Sequence, residues 1–335
     1  MRLWKRILDE YVSRHHSEHG RREVALSVAI AFTLAAAALV GVAWAAGFAA
    51  VVSRLGHPDW FWFGMAAVGL VVSLLGYTFA YRELARVDEG PDLTVHHAGA
   101  LVTTGFGVFI PRGGFALDHE ALLDAGVPPH EAELRVRRLG LLEYAILAPA
   151  AFAAALFLLL EGFPDRTGLQ LSWIVGVPGG VCVTLFLLRY RSWLRRGGRF
   201  RNHVAGFLDA VVRLAHLFWP PRKKSLGAAV GMSLYWAGDI FVLWACLAAF
   251  TQHGRPPVTA LILGYATGYA LSRRTLPFAG AGAVEALLPF ALTWVGVALP
   301  AALLSVFAYR IFNLWLPAIS GTPGLLALKR RHSPA

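Results

Sequence analysis

Six stretches of this chain stay apolar long enough to cross a bilayer, and nothing else in it limits the fold as strongly. An α-helix rising 1.5 Å per residue needs about 20 mostly apolar residues to cross about 30 Å of hydrocarbon. Val24–Val52, Trp60–Tyr81, Leu141–Leu160, Leu171–Leu188, Leu226–Phe250 and Ala301–Leu328 meet that requirement. Val258–Leu271 and Leu276–Val297 are apolar but interrupted by Gly, Arg and Pro, and a shorter broken run covers Ala98–Ile110. Charged residues are only 15% of the chain against 57% hydrophobic, whereas a soluble domain carries about 25% charged residues. A soluble chain of 335 residues has nowhere to put this much apolar surface. The expected fold is therefore an all-α polytopic membrane protein, with about 6 to 8 transmembrane helices and Pro/Gly-broken re-entrant elements.

The net charge of +11 follows the membrane rather than a nucleic acid. No nucleic-acid recognition motif accompanies it, and the Lys and Arg residues cluster beside the apolar runs, where they set orientation and meet anionic lipid heads. The basic N-terminal segment, residues 1–22, carries Arg2, Lys5, Arg6, Arg14, Arg21 and Arg22, and the linker 189–224 carries ten Lys and Arg residues. Ser53–Asp59, Glu161–Gln170 and Thr251–Pro257 carry one Arg each. Alternating sides from a cytoplasmic N-terminus puts every basic loop inside, including Lys329, Arg330 and Arg331, so both termini are expected in the cytoplasm of a multi-pass inner-membrane protein. The first apolar run is too long for a signal-peptide core and is expected to be retained. Parity requires Ala98–Ile110 to enter and leave from the cytoplasmic side, as a re-entrant hairpin or interfacial helix. Val258–Leu271 with Leu276–Val297 can be two full spans or one re-entrant hairpin; charge does not distinguish them.

The whole chain reads as one membrane domain in two halves, 24–165 and 171–328, each running span, span, broken element, span. The halves start on opposite sides, as in an inverted repeat. Glu-Ala-Leu-Leu occurs once in each half, at Glu120–Leu123 and Glu285–Leu288, nine residues after Pro111 and eight after Pro277. Asp118–Arg138 and Phe200–Trp219 read as surface helices at the bilayer edge, the second with Phe207, Val211, Leu214 and Leu217 at helical spacing.

Charge inside hydrocarbon is costly, which makes Asp239, Glu285 and Arg310 candidates for substrate binding. Arg273 and Arg274 precede Pro277, and the break Pro277–Gly282, with Gly280 and Gly282, would free backbone N–H groups to hold an anion. Arg112, Gly113 and Gly114 form the counterpart in the first half, with Glu120 as its acid and Glu143 as a weaker candidate. The same acids also suit plain helix-holding ion pairs. His15–His16 and His96–His97 lack the acidic or Cys partners of a metal site, and Cys182 and Cys246 read as small hydrophobes. Trp60, Trp62, Trp219 and Trp315 suit interfacial belts. No Walker A, zinc-protease helix or Gly-x-Ser-x-Gly elbow is present, so no catalytic residue, metal or cofactor is assigned.

Leu276-Pro277-Phe278-Ala279-Gly280-Ala281-Gly282-Ala283-Val284-Glu285, then Trp294-Val295-Gly296-Val297, Tyr309-Arg310 and Pro317, resembles the lysylphosphatidylglycerol synthase transmembrane family. The first-half segment Ile110-Pro111-Arg112-Gly113-Gly114, followed by Gly126-Val127, is similar to that family's Pro-x-Arg-x-Gly segment. The chain departs from the pattern at Ala279, where Gly is usual, and at Phe115 and Ala116, where an acid often stands. The resemblance implies a flippase-like domain that moves a charged phospholipid or lipid-linked substrate between leaflets. It implies no lysyl transfer, since there is no room for the soluble transferase domain. The rival expectation is a membrane-embedded enzyme, or an enzyme's subunit, acting on lipid-linked sugars or phospholipids with Glu285 or Asp239 as base. Expected partners are the lipid and either a second copy or an envelope enzyme.

Overall fold

Helix after helix, with no strand among the described residues, follows the apolar runs closely. The structure, a computed structural model, describes residues 18–56, 58–87, 90–107, 118–119, 121–123, 125–164, 168–195, 198–218, 223–251, 255–269 and 280–317. The helices are α1 (Glu18–Ala46), α2 (Phe48–Leu55), α3 (Trp60–Ala85), α4 (Val95–Gly107), α5 (Pro129–Leu160), α6 (Leu169–Arg189), α7 (Arg191–Leu194), α8 (Arg199–Phe218), α9 (Lys223–Phe250), α10 (Val258–Tyr269), α11 (Ala283–Trp294) and α12 (Leu299–Arg310). A π-helical turn, Ile311–Trp315, continues α12. Five of them, α1, α3, α5, α6 and α9, are long and apolar enough to cross a membrane.

The centre is an antiparallel crossing of α3 and α9, made close by glycines seven residues apart on each helix. A Cβ at Gly76 would sit 2.5 Å from the Tyr235 backbone nitrogen, one at Gly231 2.6 Å from that of Ala80, and one at Gly238 2.6 Å from that of Ser73. Lipid tails are as apolar as Leu, so close packing of small residues is what holds such helices together.

α10 and α11 fold back on each other: Gly268 faces Leu288, and Gly264 faces Val295 and Ala291. Twelve residues each make helices of about 18 Å, well short of the about 30 Å a span requires. As described, each helix is shorter than a span, and the two lie against each other. Thirteen-residue α4 is likewise too short to cross.

Two sequence expectations change. Val24–Val52 is not one span: Gly47, at φ 83°, ends α1 and the run continues as the separate helix α2. Asp118–Arg138 is not a separate surface helix, because Pro128 and Pro129 start α5, which runs unbroken into the Leu141–Leu160 span. Proline suits the first helical position because no intrahelical partner awaits its missing N–H. Asp118, Arg135 and Arg138 are buried there. Arg135 donates to the carbonyls of Ala85 and Val87 (2.7 and 2.6 Å), satisfying acceptors at the end of α3 that the helix leaves open. Close by, Arg86 is hydrogen-bonded to Asp92 at 2.5 Å, which raises its pKa and keeps that loop charged. In α8 the buried stripe is Ala205, Leu208 and Leu214, with Phe207 on the open side.

The loops sort into two ends. At one, Asp59 N–H donates to the Ala249 carbonyl (3.0 Å), and the Arg255 guanidinium lies 5.1 Å from the Trp62 ring. At the other, Arg135 meets the end of α3, and Arg213 pairs with Glu131 at 3.2 Å.

Candidate functional site

The described part of the second broken element ends in a tight glycine turn. Gly280 and Gly282 have φ of 69° and 85°, conformations that L side chains adopt only with strain. At Gly282 a Cβ would also press on α1, 3.1 Å from the Leu34 Cβ, and Ala281 packs between Ala31 and Ala35. The turn therefore ends beneath α1 and launches α11 directly.

Glu285 closes that launch. As the third residue of α11 it reaches back to accept the Gly282 N–H at 2.7 Å, one half of a capping box. Its other oxygen accepts Arg310 Nε from α12 at 2.6 Å. Glu285 is 1% exposed and Arg310 2%. Each charge therefore has its counter-charge at contact distance, which is the only cheap way to hold either inside hydrocarbon.

Asp239, near the middle of α9, takes a different solution. Its Oδ2 accepts the hydroxyls of Tyr265 and of Tyr309 (2.7 Å), and its Oδ1 accepts Asn313 Nδ2. Tyr269 donates to Asn313 Oδ1 at 2.8 Å, fixing which way that amide points. Among the described residues Asp239 has no ion-pair partner. The residues Tyr309 and Arg310 thus pin two carboxylates from two different helices.

A third buried carboxylate, Glu143 of α5, accepts the Tyr77 hydroxyl at 2.9 Å, and its backbone carbonyl accepts Trp236 Nε1 at 2.9 Å. Ring contacts run from Phe106 and Tyr77 through Tyr235 and Trp236 to Tyr265, Tyr269 and Tyr309, so an aromatic row joins the Glu143 and Asp239 sites.

Of the residues the sequence proposes, the structure brings Gly282, Glu285 and Arg310 into contact and sets Gly280 in the same turn. It links Asp239 to them through Tyr309. Asp239 departs from the simple ion-pair reading, since hydroxyls and an amide hold it instead of an arginine. Arg112, Gly113, Gly114, Glu120, Arg273, Arg274 and Pro277 lie outside the described residues. Tyr265, Tyr269 and Asn313 carry only a faint sequence signal: Tyr265/Tyr269 and Tyr309/Asn313 are polar pairs four apart in apolar runs, one helical face each. Among the described residues no three His, Cys, Asp or Glu side chains gather as metal ligands.

Fold and site together define an all-α, membrane-spanning class of protein with charged residues clustered under a helix break. No known protein family matches the sequence, and no curated protein does either.

Proposed function

We propose that the chain binds a charged phospholipid or lipid-linked substrate and moves it between leaflets of the cell membrane, with the lipid phosphate taking the place of Glu285 at Arg310. The observation that carries this reading is the donor set around the Glu285 carboxylate: a guanidinium N–H and the backbone N–H at the start of a helix. Those donors make an anion site, and a phosphate offers the same acceptors in greater number. In the resting arrangement Glu285 fills the site, so an arriving headgroup keeps Arg310 paired, and the displaced Glu285 carboxylate must take up a proton or a new donor as it leaves.

Several features support translocation over simple binding. The site lies in the break that launches α11, and broken helices are where transporters hold substrate. Among the described residues α1 lies over the turn, through Ala31, Leu34 and Ala35. In this reading the antiparallel α3–α9 crossing would be the axis about which the two halves rock. Arg112, with Gly113 and Gly114, would supply the matching anion site of the first half. The sequence resemblance to lysylphosphatidylglycerol synthase membrane regions implies the same class of activity.

The test is leaflet exchange in proteoliposomes carrying fluorescent anionic, zwitterionic and aminoacylated phospholipids, read by dithionite quenching. Wild type should exchange label faster than empty vesicles, and Arg310→Ala should fall to the empty-vesicle rate. Wild-type exchange at the empty-vesicle rate across the whole lipid panel ends the proposal.

A further inference from the structure

Asp239 is a carboxylate at mid-span with no counter-ion among the described residues and with donors on both oxygens. Three donors and no acceptor are the surroundings of an ionised carboxylate. A proton arriving on Asp239 turns one of its oxygens into a donor, and one neighbour must then reverse. Asn313 is built to do so. A half-turn of its amide presents Oδ1 to the new carboxylic O–H, and swings Nδ2 toward the Tyr269 oxygen, which accepts as readily as it donates. The proton comes from water, no other bond is made or broken, and every group keeps a partner in both states.

Asn313 lies in the π turn that directly follows Arg310. Such turns replace the regular ladder and recur at functional positions. A change in its side-chain contacts acts on the same short segment that holds Arg310 against Glu285.

We propose that Asp239 is a proton-binding site, and that proton uptake there, registered by inversion of the Asn313 amide, drives release of Glu285 from Arg310 during lipid exchange. The coupling rests on the translocation reading; the proton site does not. Among the described residues the ionisable groups bonded to Asp239 are Tyr265 from α10 and Tyr309 from α12. Tyr269 of α10 lies one hydrogen bond away through Asn313, Tyr235 of its own helix and Tyr77 and Glu143 from α3 and α5 lie further along the aromatic row, and Arg310 is next in the chain to Tyr309. Helix α8 joins the Lys223 end of α9, about 24 Å along the axis from Asp239, so His203, Asp209, Arg213 and His216 belong to the far end.

Infrared difference spectra of the full chain in lipid nanodiscs, recorded between high and low pH, test the site. The signal is the Asp239 part of the carboxylic-acid carbonyl band, obtained as the wild-type difference spectrum minus that of Asp239→Asn, since exposed Asp and Glu side chains contribute the rest. That part should grow as pH falls and persist in a Glu285→Gln background. Tyr265→Phe and Tyr309→Phe each remove a donor from the ionised form, so each should raise its midpoint by about one pH unit, a tenfold gain in proton affinity. A wild-type band identical to that of Asp239→Asn, or midpoints unmoved in both Phe variants, overturns the proton site. In proteoliposomes an imposed pH gradient should speed wild-type lipid exchange and leave Asp239→Asn exchange unaffected. Wild-type exchange that ignores the gradient overturns the coupling alone. No wild-type exchange at all defeats the translocation reading and the coupling with it, while the infrared result still decides the proton site.

Discussion

Glu285 and Arg310 are 2.6 Å apart and almost fully buried, so removing either strands the other's charge. Breaking a buried pair from one side costs about 3–5 kcal/mol, whereas replacing both partners by apolar groups of similar volume is often nearly neutral. Glu285→Leu and Arg310→Met should therefore each lower thermal stability in nanodiscs by an amount in that range. The double variant should regain most of the loss. Glu285→Leu removes more than charge, because Gly282 loses its cap, a term of about 1 kcal/mol, so its single effect should be the larger. A double variant no more stable than the worse single would mean that the pair is not what holds α11 to α12. A stable double variant without lipid exchange would separate the pair's chemistry from its packing.

Helices pack here on absent side chains, and that sets how much each glycine matters. Leu at Gly76 or Gly231 would drive a side chain into backbone on the facing helix, where Tyr235 N and Ala80 N stand 2.5 and 2.6 Å from the missing Cβ. Overpacking of this kind costs about 1–3 kcal/mol or more. Gly64, in the same helix α3, has no atom within 4 Å of where its Cβ would be, so Gly64→Leu should leave the unfolding temperature nearly unchanged. Equal losses at Gly64 and Gly76 would refute the crossing. Helices were the legible level of this sequence: four of its six uninterrupted runs appear within single long helices, Val24–Val52 is split at Gly47 between α1 and α2, and the interrupted pair appears as α10 and α11. Lipid demands apolar length from a span, and length shows in one dimension. The α3–α9 crossing was not legible, because Gly69, Gly76, Gly231 and Gly238 say nothing about which helix they face. Asn313 escaped for a similar reason, since a π turn shifts the side-chain register that a regular helix implies.

For the whole molecule, the grouping of loops and the distribution of charge are independent observations that point the same way. Contacts put the ends of α2, α9 and the α10–α11 hairpin at one end with the 161–170 connection, and put the loop after α3, the start of α5 and the α7–α8 region at the other. The second end carries Arg191 and Arg195, both paired with Asp209, and Arg213 paired with Glu131. Among the described residues the first carries Arg54 and Arg255 as its Lys or Arg side chains. Positive charge is retained on the cytoplasmic side, so the second end is the one expected there. Helix α6 adds a constraint of its own: beyond Leu169 and Gln170 none of its residues is buried, so its long middle can only be stable with lipid around it. Single cysteines at exposed positions near the helix ends test the orientation, in a background with Cys182 and Cys246 replaced by Ser and Ala. In intact cells a membrane-impermeant maleimide should label Ser53→Cys and Glu161→Cys, and should reach Glu133→Cys and Arg195→Cys only after permeabilisation. Complete reversal would keep the fold and invert its placement in the membrane. Labelling that divides Ser53→Cys from Glu161→Cys would contradict the fold itself, because one body cannot put a single end on both sides of the bilayer.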